Sequence, residues 1–199
     1  MSNIERGSRL EVKDLINVGL FSALYIVCYF ATSFLGFIPV LMIIVPFVCS
    51  IVGGIPFMLF LTKVRKFGMI TIMSVILALA VILTGNSWQV IPVAAGAGLA
   101  ADLIMKKGSY TSRKMSVIGY AVFSEWCAGI FLCMFFGFRD NYLNSLRAGY
   151  GDEYIDGLMA VTPDWMFYVM LVLAFLGGLC GAWAGTKVLK RHFEKAGIV

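Results

Sequence analysis

The sequence predicts an all-α integral membrane protein that folds as a single bundle of six transmembrane helices. The 199-residue chain is 60% hydrophobic and 14% charged, whereas soluble domains carry about 25% charged residues. Long uncharged stretches alternate with short polar segments, and nearly all basic residues fall in the segments that would share one side of the bundle. Because this length suits one bundle, residues 1–199 are predicted to form a single transmembrane domain.

The first two predicted helices lie in one uncharged stretch, residues 15–62. About 20 apolar residues cross a bilayer core, so this stretch is too long for one span. The segment from Gly36 to Pro39 supplies a turn, which gives a first helix at about 12–35 and a second at about 38–64. Pro46 and Pro56 predict a kink or a break in the second helix. The sequence leaves open whether it is one bent helix or two short ones.

Four further helices follow from the remaining apolar stretches. Residues 67–101 are also uncharged, and the polar turn at Thr84–Ser87 divides them. Pro163 is well placed to open the final helix, because proline suits a first helical turn. The predicted helices lie at about 68–84, 88–106, 113–137 and 163–189. The segment between the last two, residues 138–162, is predicted to be a long outer loop.

The basic residues predict the orientation in the membrane. Of the 16 Lys and Arg residues, only Arg139 and Arg147 fall in the outer loop; the other 14, which include Arg6 and Arg9, fall at the opposite side. The positive-inside rule then places both termini in the cytoplasm, and an even number of spans agrees with this. The polar N-terminal segment lacks the short apolar core of a signal peptide and is not expected to be one.

The predicted fifth helix carries a single ionisable side chain, Glu125, near mid-membrane. A carboxylate at that depth costs about 2.5–3.5 kcal/mol, so it is expected to face the bundle interior or a wet cavity. Ala121, Ala128 and Gly129 share its helical face and would let neighbouring helices approach closely. Two interpretations remain open. Glu125 lines a ligand site, or it is a structural carboxyl group that is protonated or hydrogen-bonded between helices.

A candidate ligand site is predicted at the outer side of the bundle. The outer loop is longer than a connection needs, which favours a functional role such as a lid. Aromatic walls with a few convergent polar groups are typical of small-molecule pockets. A ligand is expected to pass the loop, lie on the two tryptophans and reach the carboxylate at the floor. The predicted substrate-binding residues are Asn86, Trp88, Gln89, Glu125, Trp126, Tyr142 and Asn144.

Small residues form two stripes at helical spacing. Gly177, Gly181 and Gly185 lie in the last helix, and Gly19 and Ala23 lie in the first. Such stripes allow close helix approach, which favours either packing within the chain or docking of a separate membrane subunit.

Enzymatic function is not expected. The sequence contains no phosphate-binding P-loop, no HExxH and no GxSxG motif, and its five cysteines show no metal-ligand spacing. No cofactor and no metal are therefore predicted. The net charge of +5 is attributed to the cytoplasmic loops of a membrane protein, and no nucleic-acid partner is expected.

Three stretches resemble a known family. KDLINVGLFSALY, GLAADLIMKKGSYTSRK and GGLCGAWAGTKVLKRHFEKAGIV resemble the Trep_Strep group of bacterial membrane proteins, also called the MptD family. These are regarded as substrate-binding S components of energy-coupling factor (ECF) transporters, which are six-helix proteins of the bacterial cell membrane with cytoplasmic termini. The resemblance implies capture of a vitamin or other small micronutrient from outside. It also implies two kinds of partner, a transmembrane T component and two ATPase subunits, within the membrane lipid.

In several S components, small residues in the first helix, spaced as AxxxA, contact the T component. Gly19 and Ala23 match those positions, although glycine replaces the first alanine. Two other functions remain open: a stand-alone secondary carrier that uses Glu125 for proton coupling, and a membrane scaffold that binds no ligand.

Overall fold

The computed structural model describes residues 11–136 and 139–195, which form helices with no β-strand among them. Arg6, Arg9 and the first residue of the predicted outer loop, Phe138, lie outside the described residues. The helices are α1 (Val12–Ser33), α2 (Pro39–Met42), α3 (Val45–Lys63), α4 (Met69–Ile82), α5 (Val90–Lys107), α6 (Arg113–Phe123), α7 (Ala128–Phe135), α8 (Arg139–Tyr150), α9 (Asp152–Val161) and α10 (Met166–Lys195). Two short 3₁₀ turns, Phe34–Phe37 and Ser124–Cys127, join α1 to α2 and α6 to α7.

Six rods pack side by side around an aromatic core. Going around the bundle, α1 packs on α3, α3 on α10, α10 on α6, α6 on α5, α5 on α4, and α4 again on α1. One of these rods is α6 continued by its 3₁₀ turn and α7. The helices α8 and α9 cover one end, where α8 contacts α7 and α9 contacts α2. The largest fully buried side chains of the core include Tyr25, Phe57, Phe60, Tyr120, Phe123 and Trp126.

Four helical segments among the described residues are long and apolar enough to cross a membrane. They are Val12–Phe37, Val45–Lys63, Arg113–Leu132 and Met166–Lys190. The helix α4 is apolar but has 14 residues, so it is about 21 Å long, less than a hydrocarbon core of about 30 Å. The structure confirms the all-α class with four candidate spans, and the count of six spans stays a prediction.

The second and fifth predicted helices are each divided in the structure. The second breaks at Ile43 and Ile44, so that Pro46 lies in the first turn of α3, where its missing N–H leaves no hydrogen bond unmade. Pro56 lies inside α3 without ending it. The fifth is interrupted by the 3₁₀ turn that contains Glu125. The predicted outer loop contains all of α8 and α9.

The glycine stripe of α10 packs inside the bundle. A Cβ atom at Gly177 would lie 2.5 Å from the carbonyl oxygen of Phe47, and one at Gly185 would lie 2.6 Å from that of Gly54. Between them, Gly181 lies directly against the backbone of α3. Small residues are needed where two backbones approach this closely. This stripe therefore serves packing within the chain, and this face of α10 is not free to dock a separate subunit.

Polar contacts fasten the uncovered end of the bundle. The buried carboxylate of Asp102 in α5 accepts hydrogen bonds from the backbone N–H and the hydroxyl of Thr71, at 2.9 and 2.7 Å, and from the hydroxyl of Tyr110 at 3.1 Å. Lys66 donates to Asp14 at 2.7 Å, and this hydrogen bond raises the pKa of Lys66. These contacts hold α4 against α5 and α1 at the end opposite α8 and α9.

A candidate ligand cavity under the α8–α9 cap

A cavity of about 340 Å³ lies between the six-rod bundle and the α8–α9 cap. Its walls come from the end of α1 and the turn after it, the start of α3, the turn at residues 84–86, and parts of α2, α7, α8 and α9. Pockets of about 300–1,000 Å³ typically bind small molecules. The cavity has the size for a small ligand and is lined by segments that are distant in the sequence.

Aromatic side chains dominate the walls. From the first part of the chain come Tyr29, Phe30, Phe34 and Phe37. From α7 and the cap come Phe131, Tyr142, Tyr150 and Tyr154. Such rings provide apolar contact area and negatively polarised faces. The cavity can therefore hold an organic molecule by stacking contacts.

Four small polar side chains also line the cavity, and their donor hydrogens are already used. Ser33, Thr84 and Ser145 each donate to the carbonyl oxygen three residues earlier, at 2.9, 2.7 and 2.6 Å. The amide group of Asn86 donates to the carbonyl oxygen of Val81 at 3.1 Å and to the hydroxyl oxygen of Thr84 at 3.4 Å. Side chains of this type commonly bond to the nearby backbone. Their oxygen lone pairs remain as hydrogen-bond acceptors.

The cap is fastened to the turn that follows α1. The hydroxyl of Tyr154 donates to the carbonyl oxygen of Gly36 at 2.5 Å, and burial raises the pKa of Tyr154, so its phenol remains a donor. Tyr150 stacks on Tyr154 with ring centroids 4.8 Å apart and lies 5.7 Å from the ring of Phe37. These contacts close one side of the cavity.

Ion pairs link the start of the cap to the segment after it and join its two helices to each other. Arg139 at the start of α8 pairs with Asp164 at 2.7 Å and donates to the carbonyl oxygen of Thr162 at 2.8 Å. Arg147 pairs with Asp152 across the junction of α8 and α9. Exposed pairs of this kind contribute little stability each, so their main effect is to fix the geometry of the cap.

Three of the predicted site residues lie at or near the cavity. Asn86 and Tyr142 line it. Trp126 is 1% exposed and lies behind the wall, with its ring 5.4 Å from that of Tyr29. Its indole N–H donates to the hydroxyl of Tyr25 at 3.4 Å. Trp126 therefore supports a lining ring and belongs to the aromatic core.

The other four predicted residues are not among the lining residues. Trp88 is 69% exposed, and Asn144 is exposed on α8. The side-chain oxygen of Gln89 is buried and has no hydrogen-bond partner among the described residues. Glu125 is partly buried, and its carboxylate forms no hydrogen bond or ion pair with any residue that the structure describes. Their binding roles stay predictions.

The cavity includes residues that the sequence analysis did not select. Tyr29, Phe30 and Ser33 come from the end of α1, and Phe34 and Phe37 from the turn after it. The sequence feature that could have indicated them is the cluster of aromatic residues just before the predicted turn at Gly36. This cluster would face a cap only if the outer loop folds back over the first helix.

The face of α1 that carries Gly19 and Ala23 is exposed. No heavy atom lies within 4 Å of a Cβ atom built at Gly19. Leu20 and Val27 on the same helix are 63% and 64% exposed. In the candidate span that contains α1, 22% of the residues of its apolar stretch are buried, against 39–61% in the other three candidate spans. This surface is open to lipid or to another membrane protein.

The fold, the candidate spans and the composition define an all-helical integral membrane protein. The model of the family Trep_Strep, described as hypothetical bacterial integral membrane protein, matches residues 12–195. The match covers nearly the whole chain, so this protein belongs to the Trep_Strep family. No curated protein and no solved structure matches the chain.

Proposed function

We propose that this protein is the substrate-binding S component of an ECF-type importer in the bacterial cell membrane. In this role it captures a small molecule from outside and delivers it together with a T component and two ATPase subunits. The observation that carries the proposal is the cavity of about 340 Å³ under the α8–α9 cap. A small bundle with a lined, capped cavity at one end suits capture, whereas the energy for transport is assigned to the partners.

The proposal includes a six-span topology with both termini in the cytoplasm and the cap outside. It is supported by the six packed rods and by the separation of the basic residues from the cap segment. Labelling of single cysteines introduced at Ser109 and Asn144 tests this topology in intact cells. We expect an impermeant reagent to label only the cysteine at Asn144. Labelling at Ser109 from outside would overturn the topology.

The proposed docking surface for the T component is the face of α1 around Gly19 and Ala23. Support comes from the exposure of this face and from the space around Gly19. Small residues permit close approach of a helix from another subunit. The stripe in α10 is not used for docking, because it is already packed on α3.

Ligand capture is tested with the purified full-length protein. Native mass spectrometry should detect a co-purified small molecule. The variant Ser145→Trp places a large ring on the cavity side of α8 and should lose this molecule, while the matched variant Ala148→Trp, at an exposed position outside the lining, should retain it. Both positions are exposed, so both variants should fold.

Transport tests separate this proposal from its alternatives. We expect uptake in proteoliposomes only when the T component and the ATPases are present with ATP. Uptake by this protein alone, driven by a proton gradient, would instead support the secondary carrier that uses Glu125. If no small molecule co-purifies with the wild type, with Ser145→Trp or with Ala148→Trp, the result would support the scaffold that binds no ligand.

A further inference from the structure

We infer that the cavity under the α8–α9 cap is built to bind a small organic cation whose positive charge is carried on nitrogen. This inference rests on the proposed function and names the class of its substrate. It follows from four properties of the cavity: the absence of charged lining residues, the aromatic walls, the uncommitted acceptor oxygens and the acidity of the cap.

Among the residues that the structure describes, no charged side chain lines the cavity. Among its 18 lining residues, all within the described part of the chain, none is Lys, Arg, His, Asp or Glu. Burying an anion without a positive partner or a set of donors is costly. The lining therefore disfavours phosphorylated or carboxylated ligands.

The aromatic walls favour a positive charge. Eight of the 18 lining residues are Phe or Tyr, and their rings lie both on the side of α1 and on the side of the cap. Aromatic faces attract cations through the ring quadrupole, and groups of such rings are the usual recognition element for quaternary ammonium ligands. A carboxylate in the cavity is not required for this type of binding.

The four small polar side chains of the cavity act as acceptors. The hydroxyl hydrogens of Ser33, Thr84 and Ser145 are donated to backbone carbonyl groups, and the amide of Asn86 donates in the same way. What these four side chains offer a ligand are oxygen lone pairs, and the phenols of Tyr29 and Tyr150 add hydroxyl groups that can donate or accept. Lone pairs match the N–H groups of a protonated amine or the polarised C–H groups beside a quaternary nitrogen.

The cap above the cavity is acidic. Residues 139–164 contain five acidic and two basic side chains, a net charge of −3, whereas the whole chain is +5. Arg139 and Arg147 are both engaged with carboxylates of this segment. A surface of one sign raises the local concentration of ligands of the opposite sign. Cations are therefore concentrated at the aromatic cavity and anions are repelled.

The experiment compares probes that differ in charge but little in shape. The full-length protein in lipid nanodiscs is titrated at neutral pH with choline and its neutral isostere neohexyl alcohol, and with N-methylquinolinium, quinoline and quinaldate. Ligand-observed NMR reports binding. The variant Ser145→Trp, in which the new ring is expected to fill the cavity, corrects for partitioning of the probes into the lipid. We expect the cation of each series to bind roughly tenfold or more tightly than its neutral partner.

Charge variants at one position provide a second measurement. Ser145 lines the cavity and is exposed on α8, so substitution there should leave the fold intact. Ser145→Asp should strengthen cation binding and Ser145→Lys should weaken it. The same pair at the exposed Ala148 should have a smaller effect, because that side chain does not line the cavity. Equal effects at both positions would mean that the probe is attracted to the surface alone, which contradicts the inference.

The contribution of a ring is measured at Tyr150, which is 44% exposed at the cavity. Tyr150→Leu should weaken cation binding by about two- to fivefold, the range for a partly exposed ring. Tyr150→Phe keeps the ring and should keep the preference for cations. Equal loss in both variants would assign the effect to the hydroxyl group and would count against the aromatic mechanism.

The outcomes separate this inference from the proposed function. Tighter binding of the neutral or anionic probes, or a co-purified ligand without positive charge, overturns the inference and leaves the importer role standing. If no probe distinguishes the wild type from Ser145→Trp and no ligand co-purifies, the cavity is not a ligand site, and the proposed function fails with it.

Discussion

Replacing Gly177 by alanine is expected to disrupt the contact between α10 and α3. The new Cβ atom would lie 2.5 Å from the carbonyl oxygen of Phe47 and 3.0 Å from its Cα atom, whereas ordinary contact begins at 3.4 Å. Both neighbours are backbone atoms, so relief requires the two helices to separate by roughly 1 Å. Overpacking of this kind typically costs about 1–3 kcal/mol. The intrinsic helix preference of alanine over glycine, about 1 kcal/mol, offsets only part of this cost.

The matched control is Gly96→Ala, at an exposed position inside α5 where no heavy atom lies within 4 Å of the new Cβ atom. Circular dichroism of the purified proteins during heating measures the unfolding midpoint. We expect Gly177→Ala to lower the midpoint and Gly96→Ala to leave it unchanged or raise it slightly, since only the preference for alanine acts there. If the two variants unfold at the same temperature, the backbone of α10 does not pack as closely on α3 at Gly177 as the structure shows.

Four further variants test the rest of the structure. Asp102→Asn should lower the free energy of unfolding by about 1–3 kcal/mol, because a buried acceptor of three hydrogen bonds becomes partly a donor. The control Asp164→Asn, at an exposed ion pair, should lower it by less than about 1 kcal/mol. Equal effects of the two variants would contradict the buried network around Asp102. Ala23→Leu should block uptake with the partner subunits while ligand binding survives; loss of both in a folded protein would assign Ala23 to internal packing. Glu125→Gln should leave ligand affinity nearly unchanged in a binding assay, because Glu125 does not line the cavity, and a large loss would place the carboxylate at the ligand.

Hydrophobic patterning predicted the all-α membrane class, because uncharged stretches and their polar boundaries reflect the thickness of a membrane. It did not predict the order in which the rods pack, since helices that are apolar on all sides show no face to assign. The interruption at Ser124–Cys127 was not predictable either, because the segment contains neither proline nor glycine. The break at Ile43 and Ile44 lies just before Pro46, one of the two prolines from which a kink or a break was predicted.

The candidate site was predicted in part. Its location under the outer segment followed from the length and polarity of that segment, and Asn86 and Tyr142 line the cavity. Trp88, two residues after Asn86, points to the surface, because depth in the membrane does not determine which side of a turn faces inward. The aromatic residues at the end of α1 lie in an uncharged stretch without periodicity, so no local pattern separated Tyr29 from its apolar neighbours.

The helix α1 connects the two surfaces on which the proposed function depends. Tyr29 and Ser33 line the cavity, while Gly19 and Ala23 lie on the exposed face of the same continuous helix, about 15 Å away along its axis. If a T component docks at Gly19 and Ala23 as proposed, this one helix connects the docking surface to the cavity wall. The Ala23→Leu variant tests this link: loss of uptake with intact binding places the coupling on α1, whereas unchanged uptake means that the partner docks elsewhere.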